Sequence, residues 1–127
     1  MSRKKSLTLT DHELRLMEVL WERGRATVAD VVDALLPPPL AYTTVLTTLR
    51  TLEQKGYVAH QGEGRAYVYR PLVAREHAAK SAIKHILDRF FKNSPGDFAV
   101  ALLDDTHLSD ADVLKIKRLL GPRKNAS

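Results

Sequence analysis

The stretch AYTTVLTTLRTLEQKGYVAHQ, residues 41–61, changes from helical to strand periodicity at Gly56, and this change indicates the fold class. Residues 41–55 carry apolar side chains at helical spacing, follow three prolines and end before a glycine. They therefore predict a helix from about Ala41 to Lys55. Residues 57–61 begin with tyrosine and valine, two residue types that favour a β-strand.

The predicted helix carries five threonines, although threonine is only a moderate helix former. At about 100° per residue they cover an arc of roughly 140°, Arg50 borders this arc, and the apolar residues with Tyr42 lie on the opposite half. Threonine hydroxyls can bond to phosphates and base edges, and the methyl group can contact thymine. No acidic residue occurs from Ala34 to Leu52. DNA contact is therefore favoured over a merely solvated surface. This threonine face consists of Thr43, Thr44, Thr47, Thr48 and Thr51.

The segments on either side of this helix predict two further helices before it and a β-hairpin that follows it. LTDHELRLMEVLWERG predicts a helix with a capping box of Thr10 and Glu13, and TVADVVDALL predicts a shorter one that is capped by Thr27 and stopped by prolines. Residues 65–70, RAYVYR, predict a second strand that pairs with residues 57–61 as a hairpin. Three helices and a hairpin are the order of a winged helix-turn-helix, whose third helix enters the DNA major groove.

The hairpin supports DNA contact more weakly than the helix does. Arg65, beside the turn of Gly62, Glu63 and Gly64, is placed to meet a phosphate, while Glu63 opposes this. Tyr67 and Tyr69 alternate along one strand and are interpreted as packing residues rather than base-stacking residues. The predicted DNA-binding residues are Tyr42, Thr43, Thr44, Thr47, Thr48, Arg50, Thr51 and Arg65.

After Pro71 the sequence is again helical. One long helix is predicted from about Ala74 to Asn93, a second starts at Ser94-Pro95, and a third is capped by Ser109. Three helices in about 50 residues make a thin core, so pairing with a second copy is expected. The predicted dimer contacts are Ile83, Ile86, Leu87, Phe90, Phe91, Phe98, Leu102, Ile116 and Leu119.

The sequence thus predicts a mainly α protein with a small β-hairpin, divided into two domains. Residues 1–71 form the winged-helix DNA-binding domain, and residues 72–127 form a three-helix dimerisation domain that ends in a loose tail. The net charge of +5 permits a polyanionic partner without requiring one. There is no cysteine, which excludes disulfides and thiolate metal sites, and no cofactor or metal is expected. No signal peptide or membrane span is predicted, so a cytoplasmic location is expected and no membrane insertion.

Three segments resemble the penicillinase-repressor (BlaI/MecI) family of bacterial transcription regulators. They are LTDHELRLMEVLWERGRATVADVVDALL, AYTTVLTTLRTLEQKGYV and GEGRAYVYRPLV, and the likeness extends from residue 7 to about residue 120. The resemblance implies a homodimeric repressor on a palindromic double-stranded DNA operator. It places Thr44 and Thr47 at family DNA-contact positions and the dimer contacts in the helices after Pro71.

The sequence departs from the family in the two motifs through which family members respond to an inducing signal. A copper-responsive branch carries a cysteine motif, and this chain has no cysteine. The antibiotic-responsive branch implies a membrane sensor-protease as partner, which cuts an Asn-Phe bond in the penultimate helix. Here that segment reads DFAVALLDD, with Ala101-Leu102 at the expected position.

The sequence fits an enzyme poorly but leaves two other functions open. An enzyme is not expected, because the five histidines follow no ligand or triad spacing and no phosphate loop or nucleophile elbow occurs. The alternatives that stay open are a winged-helix protein-interaction module and a transcriptional activator of the same fold. The operator sequence, target genes and inducer are not readable from the sequence.

Overall fold

The computed structural model describes residues 8–62, 67–105 and 107–121. Within these ranges the chain is mostly helical with a small antiparallel sheet, as predicted. The elements in chain order are α1 (Asp11–Arg23), β1 (Ala26–Thr27), α2 (Val28–Ala34), α3 (Tyr42–Lys55), β2 (Val58–Gln61), β3 (Val68–Pro71), α4 (Arg75–Phe90), α5 (Pro95–Asp105) and α6 (Asp110–Leu120). Their order is that of a winged helix-turn-helix followed by three further helices.

Reciprocal capping boxes begin the first two helices at the residues that the sequence predicted. Before α1, Thr10 Oγ1 accepts from the Glu13 N–H at 3.1 Å, and the Thr10 N–H donates to Glu13 Oε1 at 2.9 Å. Before α2, Thr27 and Asp30 exchange the same two bonds, each 3.0 Å long. Each box satisfies amide groups that a helix start otherwise leaves unpaired.

The glycine after α3 turns the chain from the helix into the sheet. Gly56 has φ +88°, in the left-handed region that a side chain disfavours, and its N–H donates to the carbonyls of the last helical turn. The N–H of Tyr57 then donates to the Leu52 carbonyl at 2.9 Å. The chain therefore enters β2 directly, and α3 and β2 lie close together.

The sheet has the strand order β1-β3-β2, with both pairings antiparallel. The predicted hairpin is present as β2 and β3, in a register that pairs Val58 with Pro71 and Gln61 with Val68. The strand β1 was not predicted. It is only two residues long and exists through its pairing with β3, for example Ala26 with Tyr69, so the local sequence carries no periodic signal for it.

Two helices end earlier than the sequence predicted. α2 was expected to reach Leu36 but ends at Ala34, and Leu35 is extended with ψ 137°. The residue before a proline avoids helical geometry, and Leu36 precedes Pro37. α4 was expected to reach Asn93 but ends at Phe90, because Lys92 and Asn93 have positive φ angles of 48° and 63°.

The chain divides into two compact units, residues 1–86 and residues 87–127. The first unit has one hydrophobic core, which α1, α2, α3 and the sheet share with the first turns of α4, where Ala78 is 7% exposed. The largest fully buried side chains are Tyr69, Leu16, Met17, Leu20, Leu49, Leu52, Val31, Val45 and Val58. The apolar half predicted for α3 is therefore its buried side. A functional boundary at Pro71 stays a prediction.

The second unit contains the end of α4 and the helices α5 and α6. The predicted helix starts are present: Ser94 Oγ accepts from the Asp97 N–H and Ser109 Oγ from the Asp112 N–H, both at 3.0 Å. Among the side chains that the structure describes between residues 87 and 121, none is buried. Across all the described residues, no helix combines the length and apolar character that a membrane crossing needs.

Candidate nucleic-acid interface

The threonine face lies on the outer side of α3, opposite the core. Val45, Leu49 and Leu52 of this helix are each 0% exposed. Thr43 and Thr47 are exposed, and the other three threonines are half-buried. Four of the five line one shallow depression on the protein surface: Thr43, Thr44, Thr47 and Thr48.

Hydrogen bonding within the helix divides the threonines into two groups. Thr48 Oγ1 donates to the Thr44 carbonyl at 2.7 Å, and Thr51 Oγ1 donates to the Thr47 carbonyl at 3.2 Å. These two hydroxyls can still accept a bond but have committed their proton. Within the described residues, no side-chain bond engages the hydroxyls of Thr43, Thr44 and Thr47, so these three can both donate and accept.

The start of α3 differs from the starts of α1, α2 and α6. Its N-cap is Ala41, no side chain caps it, and its first turn has no acidic residue. The first amide groups of α3 are therefore left for solvent or for an external acceptor such as a phosphate oxygen. Tyr42, which the helical wheel placed on the apolar half, is 50% exposed at this end. The structure thus brings Tyr42 and Thr43 together at an open helix start.

The two basic side chains of α3 have different environments. Arg50 is exposed, and in the described part of the chain its guanidinium has no ion-pair partner. It lies near Tyr69. The pKa of Tyr69 is raised overall, chiefly by burial and also by the Glu53 charge, and the Arg50 charge partly opposes this rise. Lys55 is instead bound to Glu13, at 2.6 Å. Arg50 is therefore the cation of α3 that remains available to a ligand.

The contribution of the wing can be described only in part. Arg65 and the turn residues Glu63 and Gly64 lie outside the described residues. The interpretation of the wing tyrosines as packing residues agrees with the structure, because Tyr69 is 1% exposed and its ring lies edge-on to Tyr67 at a centroid distance of 6.5 Å.

Two polar connections near this surface were not predicted from the sequence. His60 on β2 binds Glu53 at the end of α3, with Nδ1 2.9 Å from Oε1 and 3.0 Å from Oε2. Arg15 on α1 donates to the Leu36 carbonyl at 2.7 Å and also to the Pro38 carbonyl, in the loop that precedes α3. The sequence does contain a signal for the first of these connections. Glu53 is the single acidic residue of α3, and His60 lies on the strand that follows.

The predicted dimer residues occupy two kinds of environment. Leu87, Phe91 and Phe98 are half-buried, and the rings of Phe91 and Phe98 contact each other edge-to-face at a centroid distance of 5.5 Å. The other six are exposed in the single chain: Ile83, Ile86, Phe90, Leu102, Ile116 and Leu119.

Comparison with known proteins gives consistent results over most of the chain. The family model described as Penicillinase repressor matches residues 9–121. A penicillinase repressor from Bacillus licheniformis is 26% identical over 123 residues, which cover 96% of each chain. A transcriptional regulator BlaI from Mycobacterium tuberculosis is 40% identical over 70 residues, which cover 54% of this chain and 51% of that protein.

A solved structure supports the fold independently. The solution structure of the DNA-binding domain of the repressor BlaI superposes with a TM-score of 0.50 and 29% identity, covering 58% of this chain and 93% of that domain. The winged-helix fold predicted from the order of the elements is thereby confirmed. The family match spans nearly all the described residues, and it agrees with the resemblance carried by the α3 sequence. This chain belongs to the penicillinase repressor family.

Proposed function

We propose that this protein is a transcriptional repressor that binds a palindromic DNA operator as a homodimer, with α3 of each subunit in the major groove. The observation that carries the proposal is the threonine face of α3. It presents hydroxyl groups outward on a helix that is anchored in the core on its opposite side by Val45, Leu49 and Leu52, each 0% exposed, so the backbone that carries these groups is held in a fixed position.

The chemistry of α3 suits a groove of DNA. Its outward residues are short, which allows the helix backbone to approach the base edges closely. Thr43, Thr44 and Thr47 have hydroxyls that can donate to phosphates or accept from bases, and Arg50 supplies a positive charge at the edge of the face. The uncapped start of α3 adds amide donors without a neighbouring carboxylate. A merely solvated helix has no need of this combination.

The proposal of a homodimer rests on the second unit. In the described residues beyond residue 86 no side chain is buried, while large apolar side chains such as Phe90 at 69% and Leu119 at 79% are exposed. An apolar surface of this kind, on helices whose described side chains form no buried core, indicates an interface. A second copy supplies the matching surface by symmetry and gives the protein two recognition helices.

Repression rather than activation is supported by the relatives. The Bacillus licheniformis relative is a penicillinase repressor, and the superposed domain comes from the repressor BlaI. A dimer that occupies an operator next to a promoter excludes polymerase by simple occupancy and needs no further site. A membrane sensor-protease that lifts repression belongs to the same proposal.

The test is selection of binding sites from a random duplex library, followed by footprinting on the DNA upstream of the protein's own gene. We expect an enriched inverted repeat with half-site centres separated by one or more DNA turns of about 10 bp. Two chains should bind per duplex. Expression of a reporter gene placed downstream of the site should fall when the protein is present. Enrichment of no sequence, or binding of one chain to a single half-site, would contradict the proposal.

A further inference from the structure

We propose that Glu53 and His60 form a positioning pair that fixes the wing relative to α3 and thereby sets the operator affinity. The inference rests on the proposed DNA-binding function and adds to it a device that the threonine face does not supply. Glu53 lies in the last turn of α3 and His60 on β2, so the pair joins the helix that enters the groove to the hairpin beside it.

The geometry of the pair defines how the imidazole is protonated. A single ring nitrogen, Nδ1, lies 2.9 Å and 3.0 Å from the two oxygens of the Glu53 carboxylate. An ionised carboxylate only accepts hydrogen bonds, so Nδ1 of His60 carries a proton in the neutral as well as in the charged ring. Because the acceptor is charged, this bond is charge-assisted and stronger than one between two neutral groups.

The other side of the imidazole contacts the second strand of the hairpin. The ring of His60 lies 4.2 Å from that of Tyr67 and 5.4 Å from that of Tyr69, measured between centroids. Tyr69 is the residue directly across the sheet from His60, whereas Tyr67 directly precedes β3. His60, on β2, therefore contacts both α3 and the tyrosines of the second strand.

The exposure of the pair separates a positioning role from a purely structural one. The side chains of His60 and Glu53 are 30% and 36% exposed, so water reaches the contact and its loss should change the global stability little. Loss of the pair should therefore change the operator affinity while the melting temperature changes little.

The experiment measures the operator affinity and the melting temperature of the whole chain at neutral pH, for the wild type, His60→Gln, His60→Ala, Glu53→Gln and the double variant of Glu53→Gln with His60→Ala. His12→Gln, which changes an exposed histidine on α1, is the matched control. The control should bind the operator like the wild type. Each single variant should weaken binding about threefold to tenfold with little change in melting temperature, and the double variant should lose no more than the larger single loss.

The outcomes distinguish this inference from the proposed function when Thr44→Ala is measured in the same assay. Loss of binding in Thr44→Ala together with wild-type affinity in all pair variants overturns the positioning pair and leaves the function standing. The same holds if the losses of Glu53→Gln and His60→Ala add fully. If Thr44→Ala binds normally and the pair variants lose affinity, the pair stands and the recognition surface is wrong. Normal binding by all of them overturns both.

Discussion

The ammonium group of Lys55 lies 2.6 Å from Oε1 of Glu13, so the last turn of α3 is tied to the first turn of α1. Glu13 is 4% exposed, and the same carboxylate oxygen accepts the Thr10 N–H of the capping box. Lys55 Nζ also donates to the Thr8 carbonyl at 3.1 Å. Glu13, which caps α1, thus fixes the position of α3 as well.

Removal of Lys55 should destabilise the protein because it leaves the Glu13 charge buried without its cation. We expect Lys55→Ala to lower the free energy of unfolding by roughly 2–4 kcal/mol, measured by urea denaturation. The matched control is Glu18→Gln, which breaks the ion pair with Arg75. That pair has a distance of 2.7 Å but side chains that are 48% and 51% exposed, so its loss should cost less than about 1 kcal/mol. Equal effects of the two changes would contradict the role of burial.

The threonine face predicts a loss of affinity without a loss of stability. Thr44→Ala and Thr47→Ala should each weaken operator binding by about 1 kcal/mol where a base contact is lost. Alanine is the better helix former, so the melting temperature should stay the same or rise. Fluorescence anisotropy with the operator and with a scrambled duplex measures the sequence preference. If both variants keep the wild-type preference, α3 is not the reading helix.

Arg50→Ala tests the cation beside this face. If the guanidinium meets a phosphate, binding weakens on all sequences and the slope of log affinity against log salt falls by about one unit. Lys84→Ala removes the same charge from an exposed site on α4 and should leave that slope unchanged. An unchanged slope in Arg50→Ala would remove Arg50 from the phosphate contacts.

The sequence predicted the parts of this structure that depend on local chemistry. The capping boxes at Thr10 and Thr27, the glycine after α3 and the exposed threonine face each follow from residues within a few positions of one another. The two-residue strand β1 and the Glu53–His60 pair depend instead on elements that meet only in the folded chain. The helical wheel of α3 also placed Tyr42 on the apolar half. A position on the wheel gives only the direction of a side chain around the helix axis, and it does not show that the first turn of α3 projects beyond the core.

A pH dependence is expected at the start of α2. The pKa of Asp30 is lowered from 3.8, chiefly by the hydrogen bond from the Thr27 backbone and further by the Thr27 hydroxyl. The folded pKa lies below the unfolded one, so this contribution to stability is present above the unfolded pKa and is lost as pH falls through the folded pKa. Asp30→Asn should therefore be less stable than the wild type at neutral pH, and the difference should shrink below about pH 4. A difference that does not change with pH would contradict this assignment.

The exposed Phe90 predicts the effect of a charge in the proposed dimer surface. Phe90 is 69% exposed in the single chain, so Phe90→Asp should not unfold the first unit, but it should convert dimers to monomers and weaken operator binding. The loss follows because two linked recognition helices bind far better than two separate ones. Leu36→Asp, at a 78% exposed position before α3, is the control that should stay dimeric. Light scattering that shows a wild-type monomer at micromolar concentration would contradict the proposed homodimer.

The helix α5 predicts how the protein responds to a sensor-protease of the family type. Resemblance implies cleavage at an Asn-Phe bond, and this chain has Ala101-Leu102 at that position, inside α5 and with both side chains exposed. A cut there would separate α6 from the rest of the proposed dimer surface and release the DNA. We expect an Asn-Phe-specific protease to leave the wild type intact and to cut the double variant Ala101→Asn, Leu102→Phe, with fragment masses that place the cut between the two residues. A cut at Ala101-Leu102 in the wild type would falsify the claim about specificity while supporting induction by proteolysis. An intact double variant would show that α5 is not presented to such a protease, and relief of repression would then have to come from a different event.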